Sequence, residues 1–178
     1  MKRAVIDTNV LLVANGKHHG ASAACQDKCI QHLLAQQQAG VTVIDDGHHI
    51  LSEYLNKTSP NQPKGVGDAF LKWLLQNQGD PKRVNRVAIT LIAGNMFSEF
   101  PDPALQRRFD APDRKFAAVA HAHPDRPSIW QAADCKWLEW WPQLQVKGVT
   151  VEFLCPVDVK AVYRKKFPKR PTPELPIT

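Results

Sequence analysis

The chain has 178 residues, a net charge of +6 and four cysteines. That length suits one domain with a full core and is short for two. No apolar run is long enough to span a bilayer, and the charged start lacks a secretory apolar stretch, so a cytoplasmic protein without a membrane anchor is expected. Charge divides unevenly. From Pro156 onward, Lys160, Arg164, Lys165, Lys166, Lys169 and Arg170 stand against Asp158 and Glu174, leaving +4 in segment 156–178 and +2 in body 1–155. The body alone is no basic nucleic-acid binder, and attraction for phosphate is concentrated in a basic, proline-containing tail. A solvated, disordered tail is the equally open reading.

In chain order, Ala4-Val5-Ile6 reads as a buried strand that stops at Asp7, with Thr8 or Asn9 capping a helix from about Val10. Ser22 caps a helix to about Gln38, ended by Gly40. Val41–Ile44 is a second strand closed by Asp45 and Asp46, and a helix from about His48 to Lys57 follows, with Glu53 beside its apolar stripe. A proline- and glycine-bearing loop (58–67) leads to a helix over 68–78. Val84–Ile92 is β-branched and reads as strand in part. After a short helical piece near 104–109, Pro112 opens a helix over 113–122. Ser128–Ala133 is a strand stopping at Asp134, followed by a helix over 135–144 and a last strand at 149–154. Alternating strands and helices imply an α/β chain with a mostly parallel sheet covered on both faces.

Cys25, Cys29, Cys135 and Cys155 show no close-paired zinc spacing, and Cys25 and Cys29 share a helix face, so packing is expected and disulfides are not. His18, His19, His48, His49, His121 and His123 are adjacent or alternate, awkward for two ligands on one helix face, and read as surface or loop residues. Of Trp137, Trp140 and Trp141, helical spacing places at least two in the core, against a base-stacking role.

The acids carry the chemistry. Asp7 and Asp134 each follow a strand, Asp113 opens a helix, and Glu53 lies in the helix after the second strand. Strand ends of a parallel sheet share one edge, where ligands bind. Asp7 reads equally as a plain N-cap. Four converging carboxylates would repel by roughly 1 kcal/mol per pair in water and roughly 4 at an effective dielectric near 20. They must then take up protons, spread apart or bind a cation. Oxygen ligands select Mg²⁺ or Mn²⁺, and such an ion activates water and stabilises phosphoryl oxyanions.

Val5-Ile6-Asp7-Thr8-Asn9-Val10-Leu11-Leu12 resembles the opening motif of the PIN-domain ribonucleases, and Asp113-Arg114-Lys115-Phe116-Ala117-Ala118-Val119-Ala120 resembles their third acidic motif. Ile50-Leu51-Ser52-Glu53-Tyr54 and Ala132-Ala133-Asp134-Cys135-Lys136-Trp137 are similar to the second and fourth, in the family's order over about 2–154. The resemblance implies a Rossmann-like three-layer α/β/α sandwich holding Mg²⁺ or Mn²⁺ at Asp7, Glu53, Asp113 and Asp134, and cleaving RNA to leave a 5′-phosphate. Asn9 or Thr8 would position the first acid, and Arg114, Lys115 and Lys136 would meet substrate phosphate. Lys136 stands where many relatives have a further acid. Small family members are often toxins of toxin-antitoxin pairs, so an antitoxin protein and a second copy of the chain join RNA as the implied partners; standalone nucleases also occur. Asp110 competes with Asp113 for the site, and Asp45 and Asp46 read as second-rank or turn residues.

Two other classes remain in view. A haloacid-dehalogenase-type phosphatase also begins with an acid after its first strand but needs a second aspartate two residues on, where Asn9 stands and cannot shuttle a proton. A catalytically inactive PIN-like module for RNA binding or protein interaction is the stronger alternative, and the presence of all four acids argues against it.

Overall fold

The computed structural model describes residues 1–177. Five parallel strands form the central sheet in the order β3-β2-β1-β6-β7: β1 (Arg3–Ile6), β2 (Val41–Asp45), β3 (Val84–Val87), β6 (Ser128–Gln131) and β7 (Val151–Phe153). β4 (Leu91–Ile92) and β5 (Met96–Phe97) form a separate antiparallel hairpin. The helices are α1 (Thr8–Ala14), α2 (Ala23–Ala39), α3 (His49–Lys57), α4 (Val66–Asn77), α5 (Pro103–Arg108), α6 (Arg114–Ala122), α7 (Trp137–Val146) and α8 (Pro156–Lys166). α1, α2 and α4 pack on one another, while α3 and α6 pack together against the sheet, completing an α/β/α sandwich.

Ala4, Val5, Ile6, Val43 and Ile44 have no exposed surface, as strands covered on both faces require. The chain adds β2 and β3 on one side of β1, then returns to lay β6 on the other. That reversal opens a crevice at the carboxyl ends of β1 and β6, where open α/β sheets take their ligands. Tyr54 donates to the Ile6 carbonyl and ties α3 to the end of β1. A Cβ at Gly67 would collide with the backbone of Leu11, so glycine is what lets α4 approach α1.

Several expectations are corrected. α1 starts at Thr8, because Asp7 itself is the N-cap, accepting from the Asn9 amide. Val84–Ile92 is strand in part, as expected, with β3 covering Val84–Val87; after Val87 the chain leaves the sheet, Ile89 is buried, and Leu91 and Ile92 enter the hairpin, turned by Gly94 and Asn95 at positive φ. Cys25 and Cys155 form a disulfide, against the expectation of none. A span of 130 residues separates them, so only the packing of α2 on the β7–α8 junction reveals the pair. Residues 156–177 are not a loose tail, and residue 178 lies outside the described residues. Val159 and Tyr163 of α8 form a second small core with Cys135 and Leu138, Phe167 and Leu175 pack against it, and the Trp141 indole donates to the Glu174 carbonyl. The apolar positions of α8, invisible beneath its charge, are what hold it there.

Among the described residues no helix is long and apolar enough to cross a membrane.

Candidate metal centre

Four sequence-distant acids lie near the crevice, close enough for the charges of Asp113, Asp134 and Glu53 to reach Asp7. Asp7 follows β1 directly and is 3% exposed. Its Oδ1 accepts the Asn9 amide at 2.7 Å, while its Oδ2 is buried with no hydrogen-bond partner. One carboxylate therefore both caps α1 and keeps a buried oxygen without a partner, so the cap and ligand readings are compatible. Asp134 lies three residues beyond β6, in a turn held by buried Gln131, whose Oε1 accepts the amides of Ala132 (2.9 Å) and Asp134 (3.4 Å). Asn9 bridges the two strand ends, accepting the Ala133 amide at 2.8 Å. Asp113 ends a 3₁₀ turn (Ala111–Asp113) and precedes α6, but makes no side-chain capping bond, which frees its carboxylate for the cleft. Glu53 comes from α3, whose first amides, His49 and Ile50, are capped by buried Asp45 at 2.8 and 2.9 Å.

The electrostatics fit this convergence. Burial, then the charges of Asp113 and Asp134, hold the Asp7 carboxyl well above its ordinary range. Burial, then Asp134 and Glu53, raise Asp113 to about 8. Burial also raises Asp134, against the opposing pull of the Lys136 amide and the Lys166 ammonium. Among the described residues no three of these acids bring their oxygens within 4.8 Å of one another, so the carboxylates ring the cleft instead of touching. An orphaned buried oxygen among mutually repelling carboxylates, all of them hard donors, fits a divalent ion such as Mg²⁺ or Mn²⁺.

The cations read from the sequence divide by role. Lys115 is 7% exposed, and its ammonium pairs with Glu53 and the Pro112 carbonyl, so it braces the site from within. Thr8 donates to the other Glu53 oxygen at 2.6 Å. Arg114 spends its guanidinium on the carbonyls of Phe109, Gly94 and Asn95, fixing the hairpin beside the cleft. Neither is a free phosphate contact. Lys136 pairs with Asp110 at 2.5 Å, which engages the acid that competed with Asp113. Asp46 is exposed at the turn after β2.

Sequence reasoning missed three neighbours. Lys166, at the end of α8, brings positive charge to Asp134. His18, read as a plain loop residue, also lies within the field of Asp134. Gln131 stands where only the buried turn gives it meaning. A cavity of about 310 Å³ is lined by His49, Leu91, Asn95, Phe97, Ala111, Pro112 and Lys115, the last of which pairs with Glu53, and none of the four acids lines it. The larger cavity of about 640 Å³, along the β3 edge by Gln78 and His123, holds none of them.

Compared with family models, with curated proteins and with solved structures, the chain matches none.

Proposed function

We propose that this chain is a Mg²⁺- or Mn²⁺-dependent endoribonuclease of the PIN type. The observation that carries the reading is the gathering of Asp7, Asp113 and Asp134 near the switch point of the sheet, with one buried Asp7 oxygen unpartnered, the Asp7 carboxyl raised by burial and then by the charges of Asp113 and Asp134, and the Asp113 carboxyl raised by burial and then by Asp134 and Glu53.

Asp7, Asp113 and Asp134 would hold the ion, which supplies Lewis acidity toward a phosphodiester oxygen and makes water acidic enough to attack phosphorus. The chain's own residues do the rest. Asn9 and Gln131 fix the two strand-end acids relative to each other, so charge is preorganised before substrate arrives. Glu53, held from two sides by Thr8 and Lys115, is placed to orient water or accept its proton. Lys136 and Lys166 at the rim offer positive charge to the phosphates flanking the cut.

A second reading is favoured by one contact: the Lys115 ammonium already neutralises Glu53, as in a fold that has given up its ion and binds RNA without cutting it. Cleavage of a labelled RNA with Mg²⁺, with Mn²⁺ and with EDTA separates the two. The enzyme reading expects metal-dependent 5′-phosphate products, lost with EDTA and reduced at least about a hundredfold in Asp7→Asn. RNA binding with no cleavage under any metal would establish the inactive module, and cleavage by Asp7→Asn at the wild-type rate would remove Asp7 from the site.

A further inference from the structure

Away from the acids, three of the four cysteines converge. Cys25 and Cys29 lie one turn apart on α2, and both face Cys155 at the β7–α8 junction. All three side chains are buried, and their sulfurs lie within 4.8 Å of one another. Cys25 and Cys155 are joined, and the third sulfur, Cys29 Sγ, stands 4.0 Å from Cys155 Sγ. A clasp between α2 and α8 needs two cysteines, and the third is not explained by it.

We propose that in the reduced chain Cys25, Cys29 and Cys155 form a thiolate site for a soft d¹⁰ cation, Zn²⁺ or Cu⁺. Two thiolates on a metal at about 2.3 Å stand about 3.8 Å apart in tetrahedral geometry, close to the 4.0 Å between Cys29 and Cys155. Thiolate donors select these ions over Mg²⁺ or Mn²⁺. Three sulfurs complete a trigonal Cu⁺ site, whereas Zn²⁺ needs a fourth ligand, from water or Asp158. Asp158 lies close enough for its charge to reach Cys29, and its Oδ2 is held by the Ser22 amide at 2.5 Å. A cavity of about 210 Å³ lined by Cys25, Lys28, Cys155 and Asp158 gives an entry path. Burial, followed by the Asp158 charge, pushes the Cys29 thiol up to about 12, so without a cation it stays protonated.

The chemistry balances. Two molecules of a small thiol reduce the disulfide, leave as their own disulfide, and yield Cys25 and Cys155 as thiols. Binding of the cation then displaces up to three thiol protons to solvent. Oxidised, the trio keeps a single thiol and is no metal site. The disulfide and the metal are therefore alternative ways of fastening α8 to α2.

The test uses the full chain, reduced and desalted without oxygen, and titrated separately with Zn²⁺ against a chromophoric chelator and with Cu⁺ against bicinchoninate. The expected result is one ion per reduced chain in at least one arm, none in the oxidised chain, and protection of three thiols from a thiol reagent. Cys29→Ser should weaken binding at least about tenfold, the least that losing a ligand should cost given the effect of losing a mere outer partner. Cys135→Ser, which changes the cysteine outside the trio, should leave binding unchanged. Co²⁺ added to the reduced wild type should give thiolate charge-transfer absorption near the ultraviolet, a readout independent of any variant's folding. Absence of stoichiometric binding in both arms, or equal binding by Cys29→Ser, overturns the site; binding in one arm alone names the ion.

Discussion

Asp7 and Asp68 are both buried aspartates, 3% and 1% exposed, yet they are opposites. Asp68 opens α4 and is surrounded by donors. Its Oδ1 accepts from the Asn15 side chain at 2.9 Å and the Ser59 amide at 2.8 Å, and its Oδ2 from the Lys64 amide at 3.1 Å. Burial pushes its carboxyl up, but these hydrogen bonds outweigh it and leave the group below its ordinary value. Asp7 has one amide, one bare oxygen and like charges for neighbours, and its carboxyl is raised. Burial does not distinguish a structural acid from a candidate ligand. Satisfaction does: Asp68 is complete within the chain and pins loop 58–65 to α1, whereas Asp7 has a valence that the protein does not fill.

Three measurements can break or sharpen this contrast. The largest effect on stability is expected from Asp68→Ala, which strands three donors and should cost roughly 2–4 kcal/mol in urea unfolding. A loss below about 0.5 kcal/mol would mean that water replaces the carboxylate. Since the folded Asp68 carboxyl is lowered, its stabilisation is present above the unfolded value near 3.8 and disappears as pH falls through the lower folded value.

Asp113 runs the other way. The folded chain keeps its proton up to about pH 8, the unfolded chain releases it near 3.8, and stability without metal therefore falls as pH rises across that window. Asp113→Asn should stabilise the metal-free protein by about 1–3 kcal/mol at pH 8, with the gain fading toward pH 4. Mg²⁺ should raise the melting temperature of wild type more than that of the variant. A variant equally or less stable at pH 8 would show that the acids do not repel across the cleft.

The smallest effect concerns Asp134, which lies between the two extremes because the Lys136 amide, and then the Lys166 charge, partly offset its burial. Lys166→Ala should weaken RNA binding a few-fold and reduce the slope of log affinity against log salt by about one phosphate contact. An unchanged slope would leave Lys166 as a partner of Asp134 alone. Deleting everything after Leu154 would be a poorer test, since it uncovers Cys135 and Leu138 as well as removing charge.

The metal-centre candidates were legible because each has a local signature: an acid ending an apolar strand at Asp7 and Asp134, and an acid opening a helix at Asp113. Glu53 was placed by its position beside an apolar stripe and by the resemblance of its helix to the second acidic motif, and Thr8 and Lys115 explain it better than that stripe does. Lys115 and Arg114 have partners within the chain that their neighbours in sequence do not reveal. Gln131 carried no signal, and His18 and Lys166 carried none that pointed to Asp134.

Hydrophobic period and strand-ending acids are short-range properties: they determined the parallel α/β sandwich and marked Asp7 and Asp134 as candidates. Pairings across long separations were decided only by tertiary packing: Lys115 with Glu53, Lys136 with Asp110, Cys25 with Cys155, and α8 with the small core at Cys135 and Leu138. The physical reason is one of range. Backbone propensity and burial pattern act within a few residues, whereas a charge or a thiol meets whatever the folded chain brings beside it.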